Sequence, residues 1–158
     1  MAIVLTRVDG RLIHGQVAVA WTRNVNAEKI IVIDDETAKD EMQKTLVRLA
    51  APSGVSVQIY SVEEGVDVVK SMSSNRTRTM LIVKYPETIL TLINQGISIH
   101  SVNIGGMYYE EGKEKISKAL FVDENDRKIF QKLNNTGVEL YYQVAPLTKK
   151  EDLFSLLD

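Results

Sequence analysis

The sequence predicts one α/β domain, a mostly parallel central β-sheet with helices on both faces. Short runs rich in Val and Ile alternate with amphipathic stretches across all 158 residues, and such alternation implies right-handed βαβ crossovers. Two of these runs, Ile30-Ile31-Val32-Ile33 and Met80-Leu81-Ile82-Val83, are apolar throughout, as expected of strands covered on both faces. No composition shift, linker, repeat or low-complexity tract divides the chain, so 1–158 reads as a single domain.

The elements follow in order. Residues 3–8 read as the first strand, 15–21 as the helix after it and 30–33 as the second strand. Asp35 or Thr37 is the expected cap of the next helix, where Met42, Leu46 and Leu49 repeat at spacings of four and three; Pro52 and Gly54 end it. Met42 here, and Trp21 in the first helix, fit core-facing positions. The third strand is 55–60. Ser61 then caps a helix carrying Val62, Val66 and Val69, with Glu64 placed to complete a capping box. After the strand at 80–83, Pro86 opens a helix through Ile89, Leu90 and Ile93 that stops at Gly96. Residues 97–104 form a strand that Gly105-Gly106 breaks, and 116–122 a short one. Asp123 caps a helix ending near Asn134-Asn135 and Gly137, 138–144 is the last strand, and Thr148 opens a short final helix.

Composition narrows the function. With 44% hydrophobic and 25% charged residues the chain has the means to bury a core and is unlike a disordered one. A formal charge of -2 provides no global basic field, so nucleic acid is not an expected partner. The absence of cysteine excludes disulfides, phosphocysteine chemistry and cysteine-ligated zinc. No apolar run approaches the ~18 residues of a membrane span, and the start at 2–5 lacks the features of a secretion signal. A role at a membrane would therefore run through a partner.

In an open sheet, ligands bind beyond the carboxyl ends of the strands, which singles out the turns at 9–14, 34–35, 84–85 and 105–109. The first reads Arg7-Val8-Asp9-Gly10-Arg11-Leu12-Ile13-His14-Gly15-Gln16-Val17 and holds one of only two histidines. A helix start offers unpaired N–H groups and a positive dipole end. Gly15 lets the backbone come close, and Arg11 supplies a guanidinium fork for phosphate oxygens. A neutral imidazole has a lone pair to attack phosphorus, while its second nitrogen should donate to a fixed acceptor, either Asp9 or a backbone carbonyl. Together these residues point to phosphate held on His14, a design that needs no metal and no cofactor. A capping or packing histidine is the plainer alternative.

Other candidates carry less. The glycines of Gly105-Gly106-Met107-Tyr108-Tyr109 are placed to bring backbone N–H groups to a phosphate, and Lys84 to face one. Gly106 to Lys113 fails as a P-loop, because five residues separate Gly106 from Gly112 and Glu114 stands where Ser or Thr is required. Asp34-Asp35 reads as helix capping rather than a magnesium site. His100 reads as a strand residue, and 110–115 as a solvated charged loop.

The stretch from Arg7 to Val17 resembles the signature of the IIB proteins of mannose/fructose/sorbose phosphotransferase systems, and the likeness extends over essentially the whole chain, including Asn103-Ile104-Gly105-Gly106-Met107. The resemblance implies a cytoplasmic phosphoryl carrier, attached to the membrane only through partners. His14 would receive phosphate from the phosphohistidine of a IIA protein and pass it to a sugar imported through the membrane components IIC and IID. Arg11 would steady the phosphate, and Asp9 would belong to the active-site loop. Many relatives resemble Asp-Asp-Arg-Leu-Ile-His, whereas Gly10 takes the middle place here. A regulatory module of the same fold, whose phosphorylation state controls a partner, is the alternative reading.

Overall fold

A computed structural model describes residues 2–72 and 74–158. Seven strands form one sheet in the order β3-β2-β4-β1-β5-β8-β9. They are β1 (Ile3–Asp9), β2 (Lys29–Ile33), β3 (Ser56–Tyr60), β4 (Thr79–Val83), β5 (Ser101–Gly106), β8 (Glu139–Tyr142) and β9 (Glu151–Asp152). All neighbours pair in parallel except β8 with β9. A separate antiparallel pair, β6 (Glu114–Ser117) and β7 (Leu120–Val122), lies between β5 and the following helix in the chain.

The connecting helices are α1 (Gly15–Val25), α2 (Asp35–Lys39), α3 (Glu41–Ala50), α4 (Val62–Ser71), α5 (Pro86–Asn94), α6 (Glu124–Asn135) and α7 (Leu153–Leu157). They bury the sheet from both sides. Leu5, Ile30, Val32, Met80 and Ile82 join Trp21 of α1 and Val47 of α3 in one cluster. Val8, Ile31, Ile33, Leu81 and Val83 join residues of α4, α5, α6 and α7 in the other. Consecutive strand residues thus supply opposite cores, which is why these strands are apolar without alternation.

The chain leaves β1 toward β2 on one side of the sheet and leaves β5 toward β8 on the other. The loops after β1 and β5 therefore diverge from adjacent strands, opening a crevice at their carboxyl ends. The loops at 9–14 and 105–109 lie there, with 84–85 beside them after β4, whereas 34–35 follows β2, two strands away from β1.

Several local expectations are corrected. The long helix expected after β2 is two helices, because Asp40 adopts an extended conformation (φ −116, ψ 106) and caps α3 through the N–H groups of Met42 and Gln43. The cap of α2 is Asp34, which accepts from the Thr37 N–H at 3.0 Å and its hydroxyl at 2.7 Å; Asp35 instead accepts from the N–H of Val62. Met42, Leu46 and Leu49 face outward, 71%, 53% and 76% exposed, whereas Trp21 is buried as expected. The periodicity identified an apolar stripe of α3, but the adjacent Val47 turns the helix's other side to the core.

Gly105-Gly106 does not break β5, which begins at Ser101 rather than at 97 and runs on until Gly106 pairs with Asp9 of β1. The region 116–122 lies in the β6–β7 hairpin rather than in one strand. Thr148 closes a turn with Ala145, and the final helix starts later, capped by Asp152 through the Ser155 N–H. The capping boxes at Ser61 and Asp123, and Pro86 at the start of α5, are present as read.

Candidate active site

Alternation along β1 sends Val8 to one core, while Leu5 and the charged Arg7 go to the side where α1 packs. Arg7 is 2% exposed and Asp9 fully buried. Charges so deep in a protein persist only when paired and fully hydrogen-bonded, and these are. Arg7 Nη2 donates to Asp9 Oδ2 at 3.0 Å and to the Val144 carbonyl at 3.1 Å. Its Nη1 donates to Asn103 Oδ1 at 2.5 Å and to the Gln143 carbonyl at 3.2 Å. The guanidinium lies 5.4 Å from the ring centroid of Trp21, whose indole N–H also donates to the Val144 carbonyl.

Beyond β1 the chain turns sharply. The Leu12 N–H donates to the Asp9 carbonyl at 2.9 Å, and Leu12 adopts a left-handed φ of 59°. Leu12 and Ile13 are buried under the α1 face, which anchors the turn. His14 occupies the N-cap position of α1 in extended conformation, yet its side chain makes no capping hydrogen bond. The imidazole reaches back instead, with Nε2 2.9 Å from Asp9 Oδ2.

Asp9 is the hub of the site. Oδ2 faces Arg7 and His14, while Oδ1 accepts the Arg11 N–H at 2.9 Å and the Tyr108 hydroxyl at 3.2 Å. Burial pushes the Asp9 carboxyl up, but His14, Arg7 and the Arg11 N–H outweigh it and hold the group below the ordinary carboxylate range. An ionised carboxylate only accepts, so the neutral His14 ring carries its proton on Nε2 and its lone pair on Nδ1. Among the described residues no hydrogen bond reaches Nδ1, and the His14 side chain is 27% exposed. Burial and then the charge of Asp9 push the Tyr108 hydroxyl up to about 12, so it stays a donor at neutral pH.

The other predicted residues fall around this hub. Arg11 is exposed, with its guanidinium 4.5 Å from the centroid of the Tyr108 ring. Gly15 has φ +51°, and a Cβ there would meet nothing within 4 Å, so the backbone conformation rather than crowding by the protein favours glycine. Gly105 and Gly106 have structural reasons of their own to be glycine. A Cβ on Gly105 would lie 2.0 Å from Arg7 Cζ, and one on Gly106 2.4 Å from the Tyr108 hydroxyl oxygen. Lys84, at the end of β4, shares a small cleft with Gly10, Tyr85, Tyr108 and Lys113 on the rim of the site. Lys113 is more than a solvated charge, since it donates to the buried Asp126 at 3.0 Å. His100 immediately precedes β5, at the opposite end of the sheet from His14.

Arg7 and Asn103 stand in the motifs without a role of their own, and Tyr108 only as part of the turn at 105–109. The signal for the first two was present: each is a polar residue inside a strand of apolar neighbours, Val8 in one case and Val102 with Ile104 in the other. Such residues need one another, or the backbone, for partners.

The sequence of this chain matches the family model of the PTS system sorbose subfamily IIB component over residues 3–158. It is 40% identical over its whole length to the mannose-specific EIIAB component of Escherichia coli K12, spanning 50% of that protein, so the chain is about half the length of these relatives. It is 36% identical to the sorbose-specific EIIB component of Lacticaseibacillus casei, covering 100% of this chain and 96% of that one. The crystal structure of the IIBSor domain of the Klebsiella pneumoniae sorbose permease superposes with a TM-score of 0.94 at 35% identity, covering 99% of this chain and 96% of that one. The shared fold and the full-length match establish that this chain belongs to the sorbose-subfamily IIB components of the sugar phosphotransferase system.

Proposed function

We propose that this protein carries a phosphoryl group on Nδ1 of His14, taking it from the phosphohistidine of a IIA protein and giving it to a sugar imported through IIC and IID. The observation that carries the proposal is the His14 ring itself: at the start of α1, with Nε2 committed to Asp9 and Nδ1 without a protein partner among the described residues. The Nδ1 lone pair attacks phosphorus in line, the phosphorus–nitrogen bond to the donor imidazole breaks, and that imidazole keeps the electron pair. As phosphate arrives, the Nε2 proton stays on His14, and Asp9 stabilises the positive charge that develops on the ring. In the second transfer a sugar hydroxyl oxygen attacks phosphorus, the bond to Nδ1 breaks and the hydroxyl proton leaves to solvent or a base of the acceptor site. Little covalent chemistry remains for the protein, so its contribution is positioning and charge.

Arg11 and the unpaired N–H groups at the start of α1 supply the positive surroundings that the equatorial oxygens need. Gly105, Gly106 and Lys84 support the site from outside the phosphate: the glycines by admitting Arg7 and Tyr108, the lysine by adding charge at the rim. The chain operates on the cytoplasmic face of the membrane, held there by IIC and IID; no helix among the described residues is long and apolar enough to cross a membrane. Relatives are named for mannose, sorbose, fructose and N-acetylgalactosamine. On this reading the membrane components select the sugar, and a hexose or amino sugar is the class to test first.

The test is transfer of labelled phosphate from phosphoenolpyruvate through the general phosphotransferase proteins and a matching IIA, onto wild type and His14→Ala. The expected label is acid-labile, base-stable and absent from the mutant. Label retained by His14→Ala would redirect the assignment to His100, and an unlabelled wild type with a competent IIA would overturn the carrier reading. Subsequent delivery to sugar in the presence of IIC and IID separates a transport carrier from a regulatory module.

A further inference from the structure

Tyr108 lies outside the β1–α1 motif, two residues past the end of β5, yet it touches three members of the site. Its hydroxyl donates to Asp9 Oδ1 at 3.2 Å and lies 3.5 Å from His14 Nε2. Its ring meets the His14 ring edge-on, with centroids 6.5 Å apart and planes at 78°. On its face rests the Arg11 guanidinium, 4.5 Å from the centroid.

The seat for this ring is cut out of the backbone. A Cβ on Gly106 would lie 2.4 Å from the Tyr108 hydroxyl oxygen and 2.6 Å from its Cζ. A Cβ on Gly10 would lie 3.1 Å from Cδ2, close enough that the ring would have to yield by a few tenths of an ångström. The Gly10 N–H meanwhile donates to the Gly106 carbonyl at 2.9 Å, tying the two sides of the seat together. Gly10, the position at which this chain departs from the Asp-Asp-Arg pattern, is thus one wall of the tyrosine's seat.

We infer that Tyr108 is a positioning residue for phosphoryl transfer at His14, acting through the carboxylate of Asp9 and the guanidinium of Arg11. The inference rests on the carrier reading of His14. Asp9 is oriented by two donors on each oxygen, and the tyrosine is the one donor on Oδ1 that comes from a different strand connection. With the hydroxyl in place the carboxylate cannot swing away from Nε2, so the proton stays on Nε2 and the lone pair on Nδ1. The ring face keeps Arg11 beside the histidine instead of extended into water, which lowers the ordering required when phosphate arrives.

The experiment compares wild type, Tyr108→Phe, Gly10→Ala and Tyr108→Ala with and without Gly10→Ala, using transfer rates from phosphorylated IIA and the 15N shifts of the His14 ring in the free protein. Tyr108→Phe keeps the ring and removes only a hydrogen bond to a charged group, so transfer should slow about tenfold. The two ring-nitrogen shifts, well separated in wild type, should move toward each other as the second tautomer becomes populated. Gly10→Ala should act in the same direction but more weakly, and should have no effect when added to Tyr108→Ala, where no ring remains to displace. A Tyr108→Phe protein with wild-type transfer and wild-type shifts would overturn the inference. So would a Gly10→Ala effect undiminished in the Tyr108→Ala background. A wild type that takes no label from a competent donor is a different failure, that of the carrier reading, because it appears before any Tyr108 variant is compared.

Discussion

Adding one methyl group at Gly105 should dislodge a charge that the methyl never replaces. In Gly105→Ala the new Cβ would lie 2.0, 2.1 and 2.3 Å from Cζ, Nη1 and Nη2 of Arg7. Carbon atoms rest about 3.5–4.0 Å apart, so the guanidinium must retreat by roughly 1.5 Å or more. Nothing around it permits that without loss: its nitrogens hold Asp9, Asn103 and two backbone carbonyls, and Trp21 lies alongside. The substitution therefore breaks a buried ion pair by displacement and leaves Asp9 facing His14 without its counter-charge. Breaking such a pair costs about 3–5 kcal/mol. In a domain of this size 1 kcal/mol moves the melting temperature by about 2–4 °C, so a fall of roughly 6–20 °C is expected. Urea and thermal unfolding followed by circular dichroism measure it. The cause is isolated by a double-mutant cycle with Arg7→Ala, in which the added methyl finds space and should cost less than about 1 kcal/mol. A Gly105→Ala protein as stable as wild type, or a cost unchanged in the Arg7→Ala background, would refute this account of the glycine. Intact stability with lost labelling would instead favour a direct role for Gly105 at phosphate.

Asp9→Asn should be destabilised at pH 7, with the gap to wild type closing as pH falls below about 4. The sign follows from the depressed native carboxyl: its contribution is present above the unfolded value of 3.8 and lost as pH drops through the lower folded one. Urea titrations at several pH values check this, and a gap constant with pH would mean that Asp9 is not held as a carboxylate. Tyr108 should ionise near pH 12 rather than 10, as an absorbance step at 295 nm that Tyr108→Phe removes. The same shift favours the folded state below pH 10, an advantage that disappears as pH rises through 12. Replacing Met42, Leu46 and Leu49 together by Gln should alter unfolding free energy by no more than about 0.5 kcal/mol each, the range for exposed sites. A combined loss above about 3 kcal/mol would show that the stripe is packed.

How far the sequence could be read depended on whether a feature was local. The capping boxes at Ser61 and Asp123 were legible because all their atoms lie within four residues. So was the βα alternation, which needs only the period of apolar residues. The α3 stripe misled because helical spacing reveals a face but not its surroundings; Val47, one residue from Leu46, reaches the core instead. In the site, His14, Asp9 and Arg11 were found together because one turn contains them. Arg7 with Asn103 spans 96 residues and Tyr108 with Asp9 spans 99, contacts set by the register of β1 against β5. Gly105 and Gly106 show the same limit: the groups nearest their Cβ positions are side chains, Arg7 from β1 and Tyr108 two residues on, whose approach only the fold reveals.

The partial exposure of the His14 ring, 27% of its side chain, bears on the order of events in the cell. Its inner edge is turned to Asp9, so on the proposed carrier reading the protein that delivers phosphate and the one that removes it must approach the same outer edge. They therefore exclude each other. The carrier has to let go of one before it can engage the other, and a ternary assembly offers it no shortcut. Tight binding by either partner would then throttle the flow of sugar, and throughput is set by how quickly each encounter ends.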